Sequence, residues 1–242
     1  MLVIAPHPDD EAIAASGVIT RAAKDGKAVK VVVITDGDHF IGAARLLTGR
    51  DRVTPEDLAY LGRVRRQESL RALSLLGVSG GRVQFLGYHD RSLTDLWSQY
   101  RDNSGNTGKS SLAVTLARII NDWRPTDIYY PSGEDEHPDH QAASNFVRAV
   151  LAAESFPVRE HQYLVHYDRN HWPVYSHSAA MARLMPPWRL LAKGYTWEQF
   201  PLQPEEIGIK VRAISQYQTQ LQATSGRYLT YGRSNELFIR SN

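Results

Sequence analysis

Two short segments, far apart in the chain, combine histidine with carboxylates. His7 and Asp10 are three residues apart in the first segment. His137 and His140 have the same spacing in the second. Imidazole nitrogen and carboxylate oxygen are ligands that zinc accepts, and catalytic zinc sites use three protein ligands and keep a fourth position open. Four protein ligands would close the site, so the spacing predicts a metal site with one histidine and one carboxylate left for proton transfer.

Each segment taken alone has a simpler explanation. Asp9 and Asp10 stand at a predicted helix start, where carboxylates commonly cap backbone N–H groups and are stabilised by the helix dipole. A single H-x-x-H at a helix start is likewise usually a pair of solvated side chains. Both segments occur in this chain, each after a predicted strand, and this coincidence favours the metal site.

The elements that must position these residues alternate between strand and helix. Short apolar runs bounded by turn residues predict strands, and apolar residues at helical spacing predict helices between them. The predicted strands cover 2–5, 28–35, 83–86, 127–130, 163–167 and 236–240. The predicted helices cover 9–25, 63–76, 112–123, 138–153 and 205–221, and Thr54 followed by Pro55 marks a further helix start.

This alternation predicts an α/β fold, a three-layer sandwich around a mostly parallel, Rossmann-like sheet. Ligands of such sheets bind beyond the carboxyl ends of the strands, where four of the predicted strands are followed by titratable residues. Among these, Asp36 and Asp90 are left open between turn formation and lining of the site. No linker divides the sequence, so we expect one domain over 1–242, with an insertion or lid around the Trp-bearing segment 168–204.

Composition excludes several classes of protein. The chain has 242 residues, of which 42% are hydrophobic and 22% charged, and these values exclude a disordered or fibrous protein. The absence of cysteine excludes disulfides, thiolate nucleophiles and sulfur-ligated metals. The 28 Lys and Arg residues against 26 Asp and Glu residues are too balanced to indicate a nucleic-acid partner.

The sequence also bears on location and partners. No apolar run approaches the ~20 residues of a membrane span, and the amino-terminal residues show no signal-peptide pattern. We therefore expect a cytoplasmic protein that acts on a small molecule. Monomer and homo-oligomer both remain open at this stage.

Several stretches resemble one known family. Residues 5–11 read APHPDDE and resemble the first signature of the LmbE-like, or PIG-L, N-acetylglucosaminyl deacetylases, and residues 137–140 read HPDH and resemble the second. The R-x-x-E pattern at 65–68 and the stretch 85–90 are similar to further family segments. The late helix of the family usually ends in His-x-Ser-Gln, whereas residues 217–220 here read YQTQ.

The resemblance implies a metal and its ligands. It implies zinc bound by His7, Asp10 and His140. Fe²⁺ can occupy the same ligand types, because geometry and availability decide which metal is bound.

The resemblance also implies catalytic roles for four other residues. Asp9 matches the general base for the attacking water, and His137 matches the acid or oxyanion stabiliser. Asp139 matches a carboxylate that orients and charges His137, and Arg65 matches a substrate-binding arginine.

The implied reaction is removal of an N-acetyl or other N-acyl group from an amino sugar or amino-sugar conjugate. Two alternatives remain: a metal-dependent amidohydrolase that acts on a non-sugar N-acyl substrate, and a non-catalytic carbohydrate-binding relative. A local excess of arginine over 45–71 either faces an anionic substituent such as phosphate or carboxylate, or forms a solvated helix face.

Overall fold

The computed structural model contains one seven-stranded sheet with strand order β3-β2-β1-β4-β5-β7-β6. The first five strands are parallel, whereas β7 runs antiparallel to both β5 and β6. The strands are β1 Leu2–Ala5, β2 Lys30–Thr35, β3 Val83–Tyr88, β4 Asp127–Pro131, β5 Arg159–Tyr163, β6 Trp197–Pro201 and β7 Asn235–Arg240. The structure describes residues 1–102, 111–168, 171–174 and 182–240.

Helices cover both faces of the sheet. In chain order they are α1 Asp10–Lys24, α2 Ile41–Thr48, α3 Pro55–Leu75, α4 Leu93–Asp102, α5 Ser111–Trp123, α6 Pro138–Leu151, α7 Trp188–Leu191, α8 Pro204–Ile214 and α9 Gln218–Ala223. A 3₁₀ turn, Arg227–Tyr231, lies between α9 and β7.

Alternating residues of β1 point into two separate hydrophobic cores. Val3 and Ala5 pack with apolar residues of α1, α3 and α8 on one face. Leu2 and Ile4 pack with apolar residues of α5 and α6 on the other face. Because a parallel strand with helices on both sides must be apolar on both faces, β1 reads as a continuous apolar run. The arrangement confirms the predicted three-layer α/β fold.

The strand order reverses direction between β1 and β4. From β1 the chain steps outward to β2 and β3, and then returns to the other side of β1 to form β4 and β5. A crevice opens at such a switch point, beyond the carboxyl ends of the two central strands. Both histidine-bearing segments of the sequence follow these two strands.

Helix α3 joins two features that were predicted separately. The helix start at Thr54 and Pro55 is confirmed, and Thr54 caps the helix, but the helix continues from Pro55 to Leu75, so the separate start predicted at residue 63 was wrong. The Thr54 hydroxyl accepts a hydrogen bond from the Asp57 backbone N–H, and the Asp57 carboxylate accepts one from the Thr54 backbone N–H. This reciprocal pair is a capping box. It overcomes the weak apolar spacing of 55–62. Helices α2 and α4 were not predicted.

Two further boundaries differ from prediction. Strand β5 covers Arg159–Tyr163 rather than 163–167. Its polar residues do not form the apolar run that predicts a strand, and His161 contacts Asp127 of β4 and Glu198 of β6 instead. The helix predicted over 205–221 is two helices. The break falls at Tyr217, whose side chain is fully buried and donates a hydrogen bond from its hydroxyl to Glu11.

Parts of the segment 168–204 belong to the folded core. Strand β6 pairs with β7, and Trp172, Leu184 and Leu190 pack with Leu237 in a small hydrophobic cluster. Residues 169–170 and 175–181 of this segment lie outside the described residues, so the predicted insertion or lid stays a prediction. Within the described ranges, none of the helices combines the length and the apolar character needed to cross a bilayer.

Candidate metal centre and active site

The two histidine-bearing segments meet at the switch point. His7 follows β1 directly before α1, and His140 lies in the first turn of α6, after β4. Their imidazole rings stack with centroids 5.3 Å apart. The two histidines are 133 residues apart in the sequence, and the pairing of β1 with β4 brings them together.

Three potential ligand atoms form a compact triangle. His7 Nδ1 lies 3.4 Å from Asp10 Oδ2 and 3.3 Å from His140 Nε2. Asp10 Oδ2 and His140 Nε2 are 3.1 Å apart. A tetrahedral zinc ion with bonds of about 2.0–2.1 Å places its ligand atoms about 3.3 Å from one another. The donor types and the spacing of the triangle therefore fit a bound divalent cation.

Neighbouring histidines and carboxylates offer other three-residue combinations. His137 can join His7 and His140, and His166 can join Asp10 and His140. The ligand atoms within each combination lie within 4.8 Å of one another. The site is therefore a possible His/Asp metal site with more donors than one ion needs.

Asp135 supports His140 from the side away from the triangle. Its Oδ2 lies 3.1 Å from His140 Nδ1 and accepts hydrogen bonds from the backbone N–H groups of Val165 and His166. Its Oδ1 accepts from the His137 backbone N–H. A carboxylate that contacts the far nitrogen of a metal-binding histidine fixes the ring orientation and raises the ligand's basicity.

The carboxylates around His7 and His140 shift the pKa values of the three candidate ligands. Burial lowers the pKa of His140, but Asp10 and Asp135 outweigh this effect and raise it to about 10. Burial likewise lowers the pKa of His7, but hydrogen bonds to Asp10 and Asp139 hold it well above its ordinary value. Burial raises the pKa of Asp10, whereas the two histidines outweigh burial and hold it well below its ordinary value. The carboxylates thus create a site that favours positive charge.

Asp9 lies beside this triangle and pairs with Arg65. The two side chains are almost fully buried, and Arg65 Nη2 donates a 2.8 Å hydrogen bond to Asp9 Oδ2. Arg65 also donates to the backbone oxygens of Pro8 and Gly37. Burial raises the pKa of Asp9 to about 7, although the guanidinium opposes the shift.

The backbone of Asp9 is strained. Its φ is 137°, a region that residues with a side chain rarely adopt. The Asp9 N–H donates to Glu11 Oε2, and the Asp9 carbonyl accepts from the first N–H groups of α1. Strained backbone of this kind concentrates at functional sites. Here it orients a carboxylate at the entrance of α1.

His137 caps helix α6 through its ring. Its Nδ1 accepts a hydrogen bond from the Asp139 backbone N–H. Burial lowers the pKa of His137, and the nearby charges of His7 and His140 lower it further, to about 3. The uncharged imidazole therefore dominates at neutral pH in this structure, whereas the family resemblance implied that Asp139 would favour the charged imidazole.

The Asp139 carboxylate contacts other groups than the His137 ring. Its Oδ2 lies 3.3 Å from His7 Nε2 and accepts from the Arg91 backbone N–H, while Oδ1 accepts from the Leu93 backbone N–H. Asp139 therefore positions His7 and the turn after β3. It contacts His137 through its backbone N–H.

The sequence patterns did not single out Asp135, and they left the role of Asp90 open. Asp90 Oδ1 lies 3.2 Å from His7 Nε2, so Asp90 lines the site. Asp36 instead forms a two-point ion pair with Arg66. The signal for Asp135 and Asp90 was their position after β4 and β3, the same signal that identified the histidines.

The site opens into a cavity of about 390 Å³. Seven of its lining residues are His7, Asp9, Arg65, Asp90, His137, His166 and Tyr228. A larger cavity of about 560 Å³ lies at the opposite edge of the sheet, beside Met1 and Asp127, and is lined by none of these residues. The smaller cavity is the candidate active site, because the convergent polar groups and shifted pKa values occur there.

The chain belongs to a family of deacetylases. The family model for GlcNAc-PI de-N-acetylase, PIG-L, matches residues 2–151. Both histidine-bearing segments lie within the matched residues. The resemblance noted from the sequence is therefore confirmed: the chain is a member of the PIG-L, or LmbE-like, family.

Individual relatives give more detail. A 1D-myo-inositol 2-acetamido-2-deoxy-alpha-D-glucopyranoside deacetylase of Rhodococcus opacus is 32% identical over 171 residues, which cover 65% of this chain and 56% of that protein. A probable N-acetyl-alpha-D-glucosaminyl L-malate deacetylase 2 of Bacillus cereus is 29% identical over 168 residues, which cover 69% of this chain and 66% of that protein. The match to the Rhodococcus protein thus spans little more than half of its length.

Solved structures share the fold over the whole chain. A deacetylase from the biosynthesis pathway of teicoplanin superposes on this chain with a TM-score of 0.69 at 18% identity. The superposition covers 100% of this chain and 98% of that one. At this identity the likeness establishes the α/β fold alone.

Proposed function

We propose that the protein is a zinc-dependent deacetylase that removes an N-acetyl group from an amino sugar or amino-sugar conjugate. The observation that carries the proposal is the triangle of His7 Nδ1, Asp10 Oδ2 and His140 Nε2, with Asp9 and His137 left beside it. Membership of the PIG-L family and the names of the relatives supply the reaction and the substrate class.

His7, Asp10 and His140 would hold the metal. Zinc, when bound, supplies Lewis acidity that polarises the amide carbonyl and makes water easier to deprotonate. Fe²⁺ fits the same ligand types. Asp135 holds His140, and Asp139 and Asp90 hold His7, so the two imidazoles are oriented before a metal arrives.

Asp9 acts as the general base. Its Oδ2 is taken by Arg65, and in the described part of the chain no hydrogen bond reaches Oδ1. Oδ1 therefore takes the proton of the attacking water. A cation beside Asp9 would favour the ionised carboxylate that a base requires, and Arg65 keeps that carboxylate in place.

His137 acts on the other side of the amide. Because Nδ1 accepts the Asp139 N–H, the neutral ring carries its proton on Nε2. Nε2–H can then donate to the oxygen that becomes negative during the attack. The leaving nitrogen needs a proton before the C–N bond breaks. The Asp9 carboxyl, which has taken a proton from the attacking water, is the donor assigned to it, because a neutral His137 ring would have to become an imidazolate to give up its proton.

The test separates metal binding from chemistry. Metal content of anaerobically purified protein is measured together with amine release from N-acetylglucosamine conjugates and N-acetylated amino acids. Asp9→Ala should retain the metal and lose turnover by about 10²–10⁴-fold, the range for a removed general base. His140→Ala should lose the metal itself. Asp51→Ala and His171→Ala, at exposed positions, are the matched controls.

Each result has a definite consequence. Amine release from amino acids but from no sugar would replace the substrate class with non-sugar N-acyl compounds. Sugar binding without amine release from any substrate by the metal-containing protein would leave a carbohydrate-binding relative. Full turnover in Asp9→Ala would remove Asp9 as the base.

A further inference from the structure

Two arginines line the candidate active-site cavity without a partner for their guanidinium groups. Arg91 lies in the turn after β3, and Arg227 begins the 3₁₀ turn before β7. Across the described ranges, the hydrogen bonds of these two residues involve only their backbone atoms. Neither side chain forms an ion pair with a described residue.

The other charges that line the cavity are already compensated. Arg65 pairs with Asp9, and the Asp90 carboxylate lies 3.2 Å from His7. The cavity lining contains further histidines but no third carboxylate. Its described charges therefore leave two positive groups unmatched, and both belong to residues that line a cavity large enough for a ligand.

The backbone of Arg91 is held in place by a contact with the candidate active site. Its φ is 70°, a left-handed conformation that is uncommon for a residue with a side chain. The Arg91 backbone N–H donates a 2.6 Å hydrogen bond to the buried Asp139 carboxylate, and this bond holds the conformation. The same carboxylate contacts His7. The backbone of Arg91 is thus fixed to the group that orients a proposed metal ligand.

We propose that Arg91 and Arg227 form a subsite for an anionic group, a carboxylate or a phosphate, carried by the substrate outside its N-acetyl amino-sugar ring. The proposal rests on the proposed deacetylase function and narrows its substrate class. Guanidinium groups suit both anions, since each offers paired N–H donors to two oxygens. The arginines over 45–71 that the sequence singled out are less suitable, because Arg65 and Arg66 are engaged with Asp9 and Asp36.

The experiment compares three sugars that differ in one substituent: the methyl glycoside of N-acetylglucosamine, its carboxymethyl glycoside, and N-acetylglucosamine 1-phosphate. Turnover is measured with the metal-containing protein. Binding is measured by calorimetry on the metal-containing Asp9→Ala variant, so that no turnover interferes. We expect one or both anionic sugars to exceed the neutral one by about 10–100-fold in kcat/KM and in affinity, the range for charge-assisted hydrogen bonds. The phosphate and carboxylate arms identify which anion is preferred.

Substitutions assign that preference to the two arginines. Arg91→Gln and Arg227→Gln should each reduce the ratio of anionic to neutral kcat/KM, and the double variant should bring it close to one. Arg91→Lys and Arg227→Lys should restore part of it, because the charge remains. Arg63→Gln, at an exposed position outside the cavity lining, should leave the ratio unchanged.

The outcomes distinguish the subsite from the deacetylase function. Equal turnover and equal binding of all three sugars would overturn the subsite and leave the deacetylase proposal standing. An anion preference that survives in the double variant would also overturn it. Preferential binding of an anionic sugar without amine release would support the subsite and overturn the deacetylase proposal.

Discussion

Asp135 shows how a single buried carboxylate can organise the proposed metal centre. It is fully buried, and its two oxygens contact four groups: the His140 ring and the backbone N–H groups of His137, Val165 and His166. It thereby joins the end of β4 to the chain that follows β5. Burial raises the pKa of the Asp135 carboxyl, but the charge of His140 and the contact with its ring outweigh burial and keep this pKa below its ordinary value.

Asp135→Asn should weaken metal binding. The amide retains the size of the side chain but loses the negative charge that orients His140 and makes it a better ligand. We expect metal affinity to fall by about 10–100-fold, the range for such supporting carboxylates, as measured by competition with a chelator. Asp122→Asn, on the exposed side of α5, is the control. An unchanged affinity in Asp135→Asn would mean that Asp135 has a purely structural role.

Helix α1 carries the proposed ligand Asp10, and a close contact along its length fixes its position. Gly17 lies in the middle of this helix, and the Glu236 carboxylate of β7 accepts hydrogen bonds from the Gly17 and Val18 backbone N–H groups. A Cβ at Gly17 would lie 2.1 Å from Leu202 Cδ2 and 3.0 Å from Glu236 Oε2. The absence of a side chain therefore lets β7 and the residue after β6 approach α1.

Gly17→Ala should destabilise the protein, although alanine favours helix over glycine by roughly 1 kcal/mol. The buried contacts must give way, and overpacking of this kind costs about 1–3 kcal/mol. Gly208→Ala in α8 is the matched control, because its Cβ would meet only Arg212 Nη1 at 3.6 Å. We expect this control to raise the free energy of unfolding by roughly 0.5–1 kcal/mol. Urea denaturation measures both, and a stabilising Gly17→Ala would contradict the packing argument.

At the scale of the whole molecule, one buried ion pair connects three elements. Lys210 of α8 donates from Nζ to Glu236 Oε1 at 2.8 Å, and both residues are 1% exposed. Because Glu236 also accepts from the backbone of α1, the pair ties α1, α8 and β7 together. It lies under the layer of helices that carries Asp10.

Lys210→Met should remove this connection and leave a buried carboxylate without its cation. Breaking a buried pair on one side costs about 3–5 kcal/mol, so a loss of that size in the free energy of unfolding is expected from urea denaturation. Lys193→Met is the control, because Lys193 pairs with Glu134 at the surface, where such pairs contribute about 0–1 kcal/mol. Equal losses in the two variants would show that the buried pair has no special role.

Sequence patterns were informative where one segment supplied its own signal. The apolar run of β1 and the start of α6 were predicted correctly, as were the family signatures at 5–11 and 137–140. The start of α3 at Pro55 was predicted from Thr54 and Pro55, but its continuity past residue 63 was missed because 55–62 lacks apolar spacing. Strand β5 was misplaced because its polar side chains contact other strands. The bounds of helices and strands were therefore predicted wrongly where apolar periodicity does not determine them.

By itself the sequence determined the layered α/β fold and the family, because apolar runs, helical spacing and the two signatures are local properties of the chain. Only the tertiary structure decided the partners of the charged groups. It pairs Arg65 with Asp9, brings Asp139 against His7, and leaves Arg91 and Arg227 free of described partners in the cavity. The physical reason is that charge compensation in a buried site depends on distances between groups from separate strands and helices, and sheet pairing sets those distances.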